Sequence, residues 1–385
     1  MKTPQYIWQQ PGWPKLSYDR VPISAAVNAA RRVQGFVGGR LSAIGLQERK
    51  QLAAESWTQE AVATAAIEGE RLDLEAVRSS VCRRLGVKGA RAARAPRNVE
   101  GLLDIMEDAV GNAGAALTDA RLQNWQQALF PSGFSGRNPV LVNAYRDHRE
   151  PMQIVSGPLG REKVHYEAPS SKVVPAEMKR FLKWFNEGKE SDSLVCAALA
   201  HLWFETIHPF EDGNGRVGRA IVDLTLARDL GDTSRTIRIS QQLRDNGDAY
   251  YDQLQLAQRG ALDVTAWVLW FVSQVRAACE KAVSVVDQSL AKARFWTTHS
   301  DKDLNGRQRK IVNALLDAGP GGFQGGMNTR KYEAMASTSR ATASRELIEL
   351  AGLGMLRMVG AGRSTRYYIE LDGWVPPAAA DSGRS

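Results

Sequence analysis

The sequence predicts a mainly α protein, a helical body carrying one β-hairpin and followed by a C-terminal winged helix-turn-helix. Three observations lead there. Apolar residues recur at spacings of three and four through most of the chain up to residue 297, the period of amphipathic helices. One stretch, Pro151 to Pro169 (PMQIVSGPLGREKVHYEAP), breaks that period with β-branched residues flanking Gly-Pro and Gly, as a hairpin does. From Thr298 the pattern changes again, to three short helices and two strands.

The first twenty residues are rich in Pro, Trp and Tyr and read as an extended segment lying against the body. Ser24 to Leu85 carries two or three helices. Arg83 to Arg97 (RRLGVKGARAARAPR) holds six basic residues and no acidic one, which reads as a solvated, mobile linker, with a phosphate-binding arm as the alternative. Helical spacing resumes from Asn98 to Leu129, before the turn-rich FPSGFSGRNP. After the hairpin, AEMKRFLKWFNEG and SLVCAALAHLWFETI are strong helices. A polar loop follows, and then RAIVDLTLARDL, AYYDQLQLAQRG and the long VTAWVLWFVSQVRAACEKAVSVVDQSLAKARFW, all helical. In the C-terminal part NGRQRKIVNALLDAG, TRKYEAMAST and SRATASRELIELAGLG are helices, and MLRMVGAGRSTRYYIEL makes two strands around a Gly-rich turn. The expected organisation is a helical domain over 1–97, a core over 98–297, a winged helix over 298–372 and a disordered tail over 373–385.

Composition removes several function classes. Of the 385 residues 43% are hydrophobic and 24% charged, which suits a soluble chain with a proper core. The net charge of +8 permits contact with nucleotides or nucleic acid without requiring it. Cys82, Cys196 and Cys279 are too few and too scattered for a disulfide framework or a zinc site, and point to a reducing cytoplasm. The N-terminus lacks a signal-peptide core, and the most apolar run, Leu194 to Phe204, is too short to span a bilayer and is broken by His201. No membrane association is expected.

Chemistry concentrates in residues 205 to 223, ETIHPFEDGNGRVGRAIVD. Gly213 and Gly215 let backbone N–H groups approach an anion, and a helix restarting near Asn214 aims its positive end at it. Arg216 and Arg219, three apart, share a helical face and can fork onto phosphate oxygens. Asp212 offers a hard oxygen for Mg²⁺, and His208 a base of near-neutral pKa. Anion cradle, metal ligand, cationic clamp and base are the parts of phosphoryl or nucleotidyl transfer. An EF-hand is excluded because the sixth residue counted from Asp212 is Val217 rather than Gly, and the chain has no Walker motif. His201, two turns earlier on an apolar helix, reads as a core or supporting histidine.

HPFEDGNGRVGR resembles the Fic family signature HPFx[D/E]GNGRxxR at every specified position. The hairpin upstream is similar to the family's flap, and RDNGDAYYDQLQLA downstream to its nucleotide-contacting Tyr-Tyr segment, so the resemblance runs from about residue 5 to residue 370. It implies a helical Fic core that transfers AMP from ATP onto a hydroxyl of a target protein, or of the chain itself, with release of pyrophosphate. By that resemblance His208 deprotonates the target Ser, Thr or Tyr, and Asp212 holds Mg²⁺ on the phosphates. Gly213, Asn214, Gly215, Arg216, Val217, Gly218 and Arg219 bind the phosphate chain, Arg219 taking the γ-phosphate. Tyr250 and Tyr251 line the adenosine pocket, and Gln258 stands where some relatives have Asn. Lys163, Val164, His165 and Tyr166 of the flap hold the target by strand addition, with His165 either structural or in contact with nucleotide.

Thr64-x-x-x-Glu68-Gly69 resembles the family's inhibitory motif [ST]xxxE[GN], on a helix expected around 58–70. The resemblance implies that Glu68 and the γ-phosphate compete for Arg219, and leaves room for the reverse reaction, removal of AMP. In the winged helix, Arg340 and Arg345 suit a DNA groove and Arg363 and Arg366 suit phosphates at the wing, while the domain balance of eleven Lys/Arg against eight Asp/Glu suits a protein partner equally. A rival reading is a DNA-binding regulator whose core senses nucleotide. Relatives of this architecture also raise the expectation of a homodimer.

Overall fold

The structure is a computed structural model, and it describes residues 5–87, 95–156, 161, 163–190, 192–319, 323 and 325–374. The chain divides into two compact units, Met1–Val283 and Ser284–Ser385. The first unit begins with a short 3-10 turn at Ile7–Gln9, then α1 (Arg20–Ser42), α2 (Leu46–Ile67), α3 (Leu74–Leu85), α4 (Arg97–Gly111) and α5 (Asp119–Leu129). A two-residue hairpin pairs β1 (Phe134–Ser135) with β2 (Asn138–Pro139), and a longer one pairs β3 (Gln153–Ser156) with β4 (Lys163–Glu167). Then come α6 (Val174–Glu187), α7 (Ser193–Ile207), α8 (Asn214–Leu230), α9 (Ile239–Asp245), α10 (Gly247–Arg259) and α11 (Thr265–Thr298), which runs through the division between the units.

Local chemistry sets the helix starts. Asp19, Asp73, Thr118 and Asp192 each accept a backbone N–H in the first turn of the helix that follows, satisfying donors that have no partner within the helix. Every residue of α7 is buried, as expected of a central helix, with His201, Glu205 and Thr206 among the polar exceptions in a mostly apolar sequence. Helices α2 to α8 contribute to one apolar core, in which Trp57, Leu103, Trp125, Phe181, Phe204, Phe210, Val217 and Leu224 are buried. Segments 1–97 and 98–297, set apart by the sequence reading, therefore share a core, because no single helix among them has an apolar face it can cover alone.

Three further departures from the expected elements have plain causes. The hairpin at β1 and β2 is too short to show a period of two. Helix α9 spans only seven residues, too few to show helical periodicity. Helix α2 stops at Ile67, so Glu68 stands at its C-cap rather than inside a helix reaching residue 70. In the longer hairpin Gln153 pairs with Glu167, Ile154 with Tyr166, Val155 with Val164 and Ser156 with Lys163. His165 is the extra residue where the register shifts, a β-bulge. Residues 157–160 of the expected hairpin lie outside the described residues, as do residues 88–94 of the expected basic linker and the expected tail from 375; Arg83 and Arg84 of that linker belong instead to the last turn of α3.

The second unit holds α12 (Gly306–Asp317), α13 (Thr329–Ala336) and α14 (Arg340–Gly352), followed by β5 (Leu356–Val359) antiparallel to β6 (Arg366–Ile369). Asn305, Asn328 and Ser339 cap its helices. Its own core includes Ile311, Leu315, Tyr332, Leu347, Leu350 and Tyr367. Arg340 and Arg345 are exposed on α14, and the side chain of Arg363 lies outside the described residues.

Gly101 on α4 lets α5 approach so closely that a side chain there would run into the Ala128 carbonyl. Helix propensity favours Ala by about 1 kcal/mol, but forcing two packed helices apart costs about 1–3 kcal/mol. Gly101→Ala is therefore expected to lower stability in the denaturant unfolding of the first unit, and a stabilised variant would contradict this packing.

Candidate active site

The site forms where α7 ends and α8 begins. His208 follows the last residue of α7 and takes a left-handed conformation (φ 50°), its N–H still donating to the Phe204 carbonyl at 2.9 Å. The loop from Pro209 to Gly213 is closed by Asn214, whose side-chain amide accepts from Phe210 N–H (2.9 Å) and donates to the Phe210 carbonyl (2.8 Å). Gly213 then turns the chain into α8 with φ 88°, where a side chain would press on Leu129 and Phe130 at 2.9 and 3.0 Å. Glu211 ties the loop to the segment after the small hairpin by accepting from Leu141 N–H at 2.7 Å.

Arg146 holds this turn from below. It is 2% exposed, and its guanidinium donates to the carbonyls of His208 (2.7 Å), Ile207 (3.3 Å) and Pro169. Its own N–H donates to the Pro209 carbonyl at 2.9 Å. Satisfying several buried carbonyls at once suits the fixed fork of arginine. Sequence reasoning missed Arg146, which lies 62 residues before His208 with no periodic or spacing signal to link them.

The N–H groups of Asn214, Gly215 and Arg216 occupy the first turn of α8, which has no preceding carbonyls to receive them, and the positive end of the helix dipole lies there. The carboxylate of Glu68 is the anion beside it. A side chain at Gly215 would overlap Glu68 Oε1, so the carboxylate rests where only glycine leaves room. Glu68 Oε1 accepts from Arg219 Nη2 at 2.8 Å. Arg219, 1% exposed, also donates through Nε to the Thr64 hydroxyl (2.7 Å) and through Nη2 to the Thr64 carbonyl (2.9 Å). Arg216 is held in parallel: Nη1 donates to Glu70 Oε2 at 2.9 Å, and the guanidinium lies 5.1 Å from the centre of the Phe130 ring. Glu70 is fixed in turn by the Asn98 amide at 2.7 Å. Glu70 was not anticipated, although it stands two residues beyond Glu68.

A cavity of about 700 Å³ opens beside these ion pairs, lined among others by Glu68, Glu70, Arg97, Asn98, Phe130, Asp212 and Arg216. Asp212 is partly exposed there; its Oδ1 accepts from Gly213 N–H at 2.6 Å and lies 3.8 Å from Arg216 Nη2. Among the described residues no group of three or more His, Cys, Asp or Glu is placed to share a metal ion. Asp212 nevertheless fits Mg²⁺, which takes one or two carboxylates and completes its shell with water and phosphate oxygens.

Other anticipated residues are placed as follows. Val217 donates its N–H to the Gly213 carbonyl (3.0 Å) and buries its side chain in the core. Gly218 faces inward, where a side chain would meet Glu205 Oε1 at 2.5 Å and His201 Nδ1 at 3.3 Å. Tyr250 is buried with its hydroxyl 2.8 Å from His201 Nε2, while Tyr251 is half-exposed and donates to the Ile67 carbonyl at 3.1 Å, next to Glu68. Gln258 donates to the Glu205 carbonyl at 3.2 Å. In the flap, Lys163 and Val164 are exposed, whereas Tyr166 is buried and donates to the Thr206 carbonyl at 2.6 Å. The His165 carbonyl accepts from Gln255 (2.9 Å) and Arg259 (2.8 Å) of α10.

Burial governs the ionisation of the site. The imidazole of His208 is pushed down to about 4 by burial, then by the nearby Arg146 cation, and His201 is pushed down to about 3 by burial and Arg219. Both rings are neutral at physiological pH. Glu205 moves the other way, up to about 8, because burial and the charge of Glu68 outweigh Arg219. Burial likewise raises Glu60 and Asp223, which flank Arg219 from α2 and α8.

A profile described as the Fic/DOC family matches residues 116–226, and one described as a domain of unknown function (DUF4172) matches residues 6–87. A probable protein adenylyltransferase of Aquifex aeolicus (strain VF5) is 32% identical over 99 residues, 26% of this chain and 28% of that protein. The chain thus spans little more than a quarter of that relative's length. A solved Fic family protein from Desulfovibrio desulfuricans G20 matches with a TM-score of 0.54 at 22% identity, covering 92% of this chain and 97% of that one. Fic-1 from C. elegans matches at 0.49 and 18% identity, over 69% and 74% of the two chains.

For His208, a folded pKa below the ordinary value of about 6.5 means that protonating the ring opposes folding between that pH and about 4. The raised carboxyls Glu205, Glu60 and Asp223 act with opposite sign over much of that range, so the ring itself is the informative probe. Its NMR resonances are expected to titrate with a midpoint near pH 4, and a midpoint at the ordinary value would contradict the burial.

Proposed function

We propose that this chain, whose residues 116–226 match the Fic/DOC family profile, is a protein adenylyltransferase held in check by its own Glu68. The observation that carries the reading is the occupation of the α8 N-terminus and Arg219 by one carboxylate, above a glycine that leaves room for it. A carboxylate so placed stands in for a phosphate oxygen: the same first-turn N–H groups and the same guanidinium suit either anion.

In the proposed reaction the triphosphate of ATP displaces Glu68 from Arg219 and Glu70 from Arg216, and the cavity of about 700 Å³ beside them is roomy enough for polyphosphate. Mg²⁺ held by Asp212 would neutralise charge on the phosphates. The target hydroxyl oxygen bonds to the α-phosphorus, its proton passes to His208 Nε2, and the bond from the α-phosphorus to the bridging oxygen breaks, releasing pyrophosphate. The neutral imidazole of His208 is the form that accepts a proton. The exposed face of the flap at Lys163 and Val164 would take the target's backbone. With Glu68 in place, the γ-phosphate has no cation at Arg219 and the α-phosphate is not aligned for in-line attack. The DUF4172 match overlaps residues 64 to 70, so the segment that supplies this brake lies outside the Fic/DOC match.

Label from α-³²P-ATP is expected to pass to protein, and label from γ-³²P-ATP is not. Glu68→Gly raises transfer by at least on the order of tenfold, and His208→Ala abolishes it. Equal rates for Glu68→Gly and the parent would remove the brake, and transfer of γ-label would make the chain a kinase.

The exposed Arg340 and Arg345 on α14 favour a second role for the C-terminal unit, duplex DNA binding by a winged helix. Gel mobility shift with the full chain at fixed salt is expected to show retardation, lost in Arg340→Ala/Arg345→Ala. An unshifted probe leaves the unit to a protein partner.

A further inference from the structure

Three buried polar atoms along the last turns of α7 and at its C-cap lack a hydrogen-bond partner: His201 Nδ1, Glu205 Oε1 and His208 Nδ1. Their residues stand four and three apart, so successive turns bring them together. A buried polar atom without a partner costs about 1–3 kcal/mol, and three in a row beside a reacting base call for a reason. Gly218 supplies part of it: any side chain there would fill the space of the Glu205 carboxyl, at 2.5 Å from Oε1. The glycine leaves a slot in the wall of α8, and the Glu205 carboxyl occupies it. From that slot Glu205 Oε2 lies 3.7 Å from His208 Nδ1, a gap that a small rotation of either side chain closes to hydrogen-bond distance.

We propose that Glu205 is a positioning residue for His208. Its carboxyl oxygen receives the proton on Nδ1 and so keeps the lone pair of Nε2 turned toward the reacting hydroxyl. A neutral imidazole carries one proton on either nitrogen, and the hydrogen bond made by one nitrogen decides the role of the other. Without an acceptor at Nδ1 the ring divides between tautomers and loses the fixed plane a general base needs. The groups facing Glu205 are His201 on its own helix and His208 just past its end, Arg219 on α8, Glu68 at the end of α2, Tyr250 on α10 and Tyr166 on β4. The Glu205 carboxyl itself stands within 4 Å of the His208 ring. The one rival acceptor is the main-chain carbonyl of Glu205, which also faces the ring but already accepts from Gln258. Glutamine is the closest mimic of Glu205, of the same length and with a side-chain carbonyl oxygen that accepts.

This inference rests on the adenylyltransferase reading for its kinetic consequence but not for its structural one. The test uses the full chain with Glu68→Gly as parent, alone and with Glu205→Gln or Glu205→Met, the latter of similar length and without an acceptor. ¹⁵N shifts of the His208 ring, recorded without ATP, are expected to report a proton on Nδ1 in the parent and in Glu205→Gln, and a mixture of tautomers in Glu205→Met. With α-labelled ATP, Glu205→Met is expected to lose at least tenfold in kcat at unchanged KM for ATP, with Glu205→Gln within about threefold of the parent. An unchanged tautomer in Glu205→Met overturns the proposal in favour of the main-chain carbonyl. A loss shared equally by Glu205→Gln, or one falling on KM, overturns it in favour of a packing role. An inactive parent whose ring shifts still respond to Glu205→Met removes the transferase reading and leaves the positioning intact.

Discussion

The architecture around α7 and α8 depends on one buried cation. Arg219 is almost wholly excluded from solvent, and a guanidinium cannot shed its charge there. Leaving such a cation unpaired costs several kcal/mol, so the surrounding elements are arranged to answer it. Helix α2 ends where Thr64 offers both hydroxyl and carbonyl, and Glu68 follows at its C-cap. Glu60, Asp223 and Glu205 lie within electrostatic reach as well, but burial disfavours their charged forms, so Glu68 carries most of the answer. The N-terminal helices are thereby a structural counterpart of the loop they cover. Under the proposed autoinhibition the same constraint would make the brake releasable, since exchanging Glu68 for a phosphate oxygen replaces one anion by another and leaves the guanidinium neutralised.

Much of this site was legible in the sequence because it is local. The break between His208 and Asn214, the glycines that open it and the arginines one turn later lie within twelve residues, and each works through backbone conformation or helical spacing. Glu68 was legible through a short motif alone. What escaped the reading acts across long separations. Arg146 serves carbonyls 61 to 63 residues away, Glu70 reaches Arg216 across 146 residues, and Glu205 owes its slot to Gly218 on the next helix. No period or spacing encodes such pairs, since tertiary packing alone brings them together. Gly218 illustrates the point from the other side. Within the motif it reads as one more residue of a phosphate loop, whereas in the fold it makes room for a carboxyl.

The same contrast holds for the elements. Helices long enough to show their period were evident, including α7 and α11, while α9 and the β1–β2 hairpin were too short to declare themselves. The N-terminal segment was expected to lie extended against the body, and what its sequence did not show is that it braces the longer hairpin. Tyr6 packs edge-on against Tyr166, and Trp8 donates to the Glu167 carbonyl at 2.9 Å. With the bulged His165 tied to α10 through its carbonyl, strand β4 is held from both sides. An edge strand ordered in advance loses little conformational freedom when another chain pairs with it.

His208 shows what such a site asks of the fold that carries it. A non-glycine residue in the left-handed region is disfavoured by about 1–2 kcal/mol, and this one also carries a largely enclosed imidazole whose protonation its surroundings oppose. At that point of the chain a glycine would relax the backbone, and an asparagine would tolerate it. The histidine is therefore the least comfortable residue in its own turn. A chain shaped for durability alone would have no use for it; as the proposed base, it is the position where endurance would be given up for reactivity.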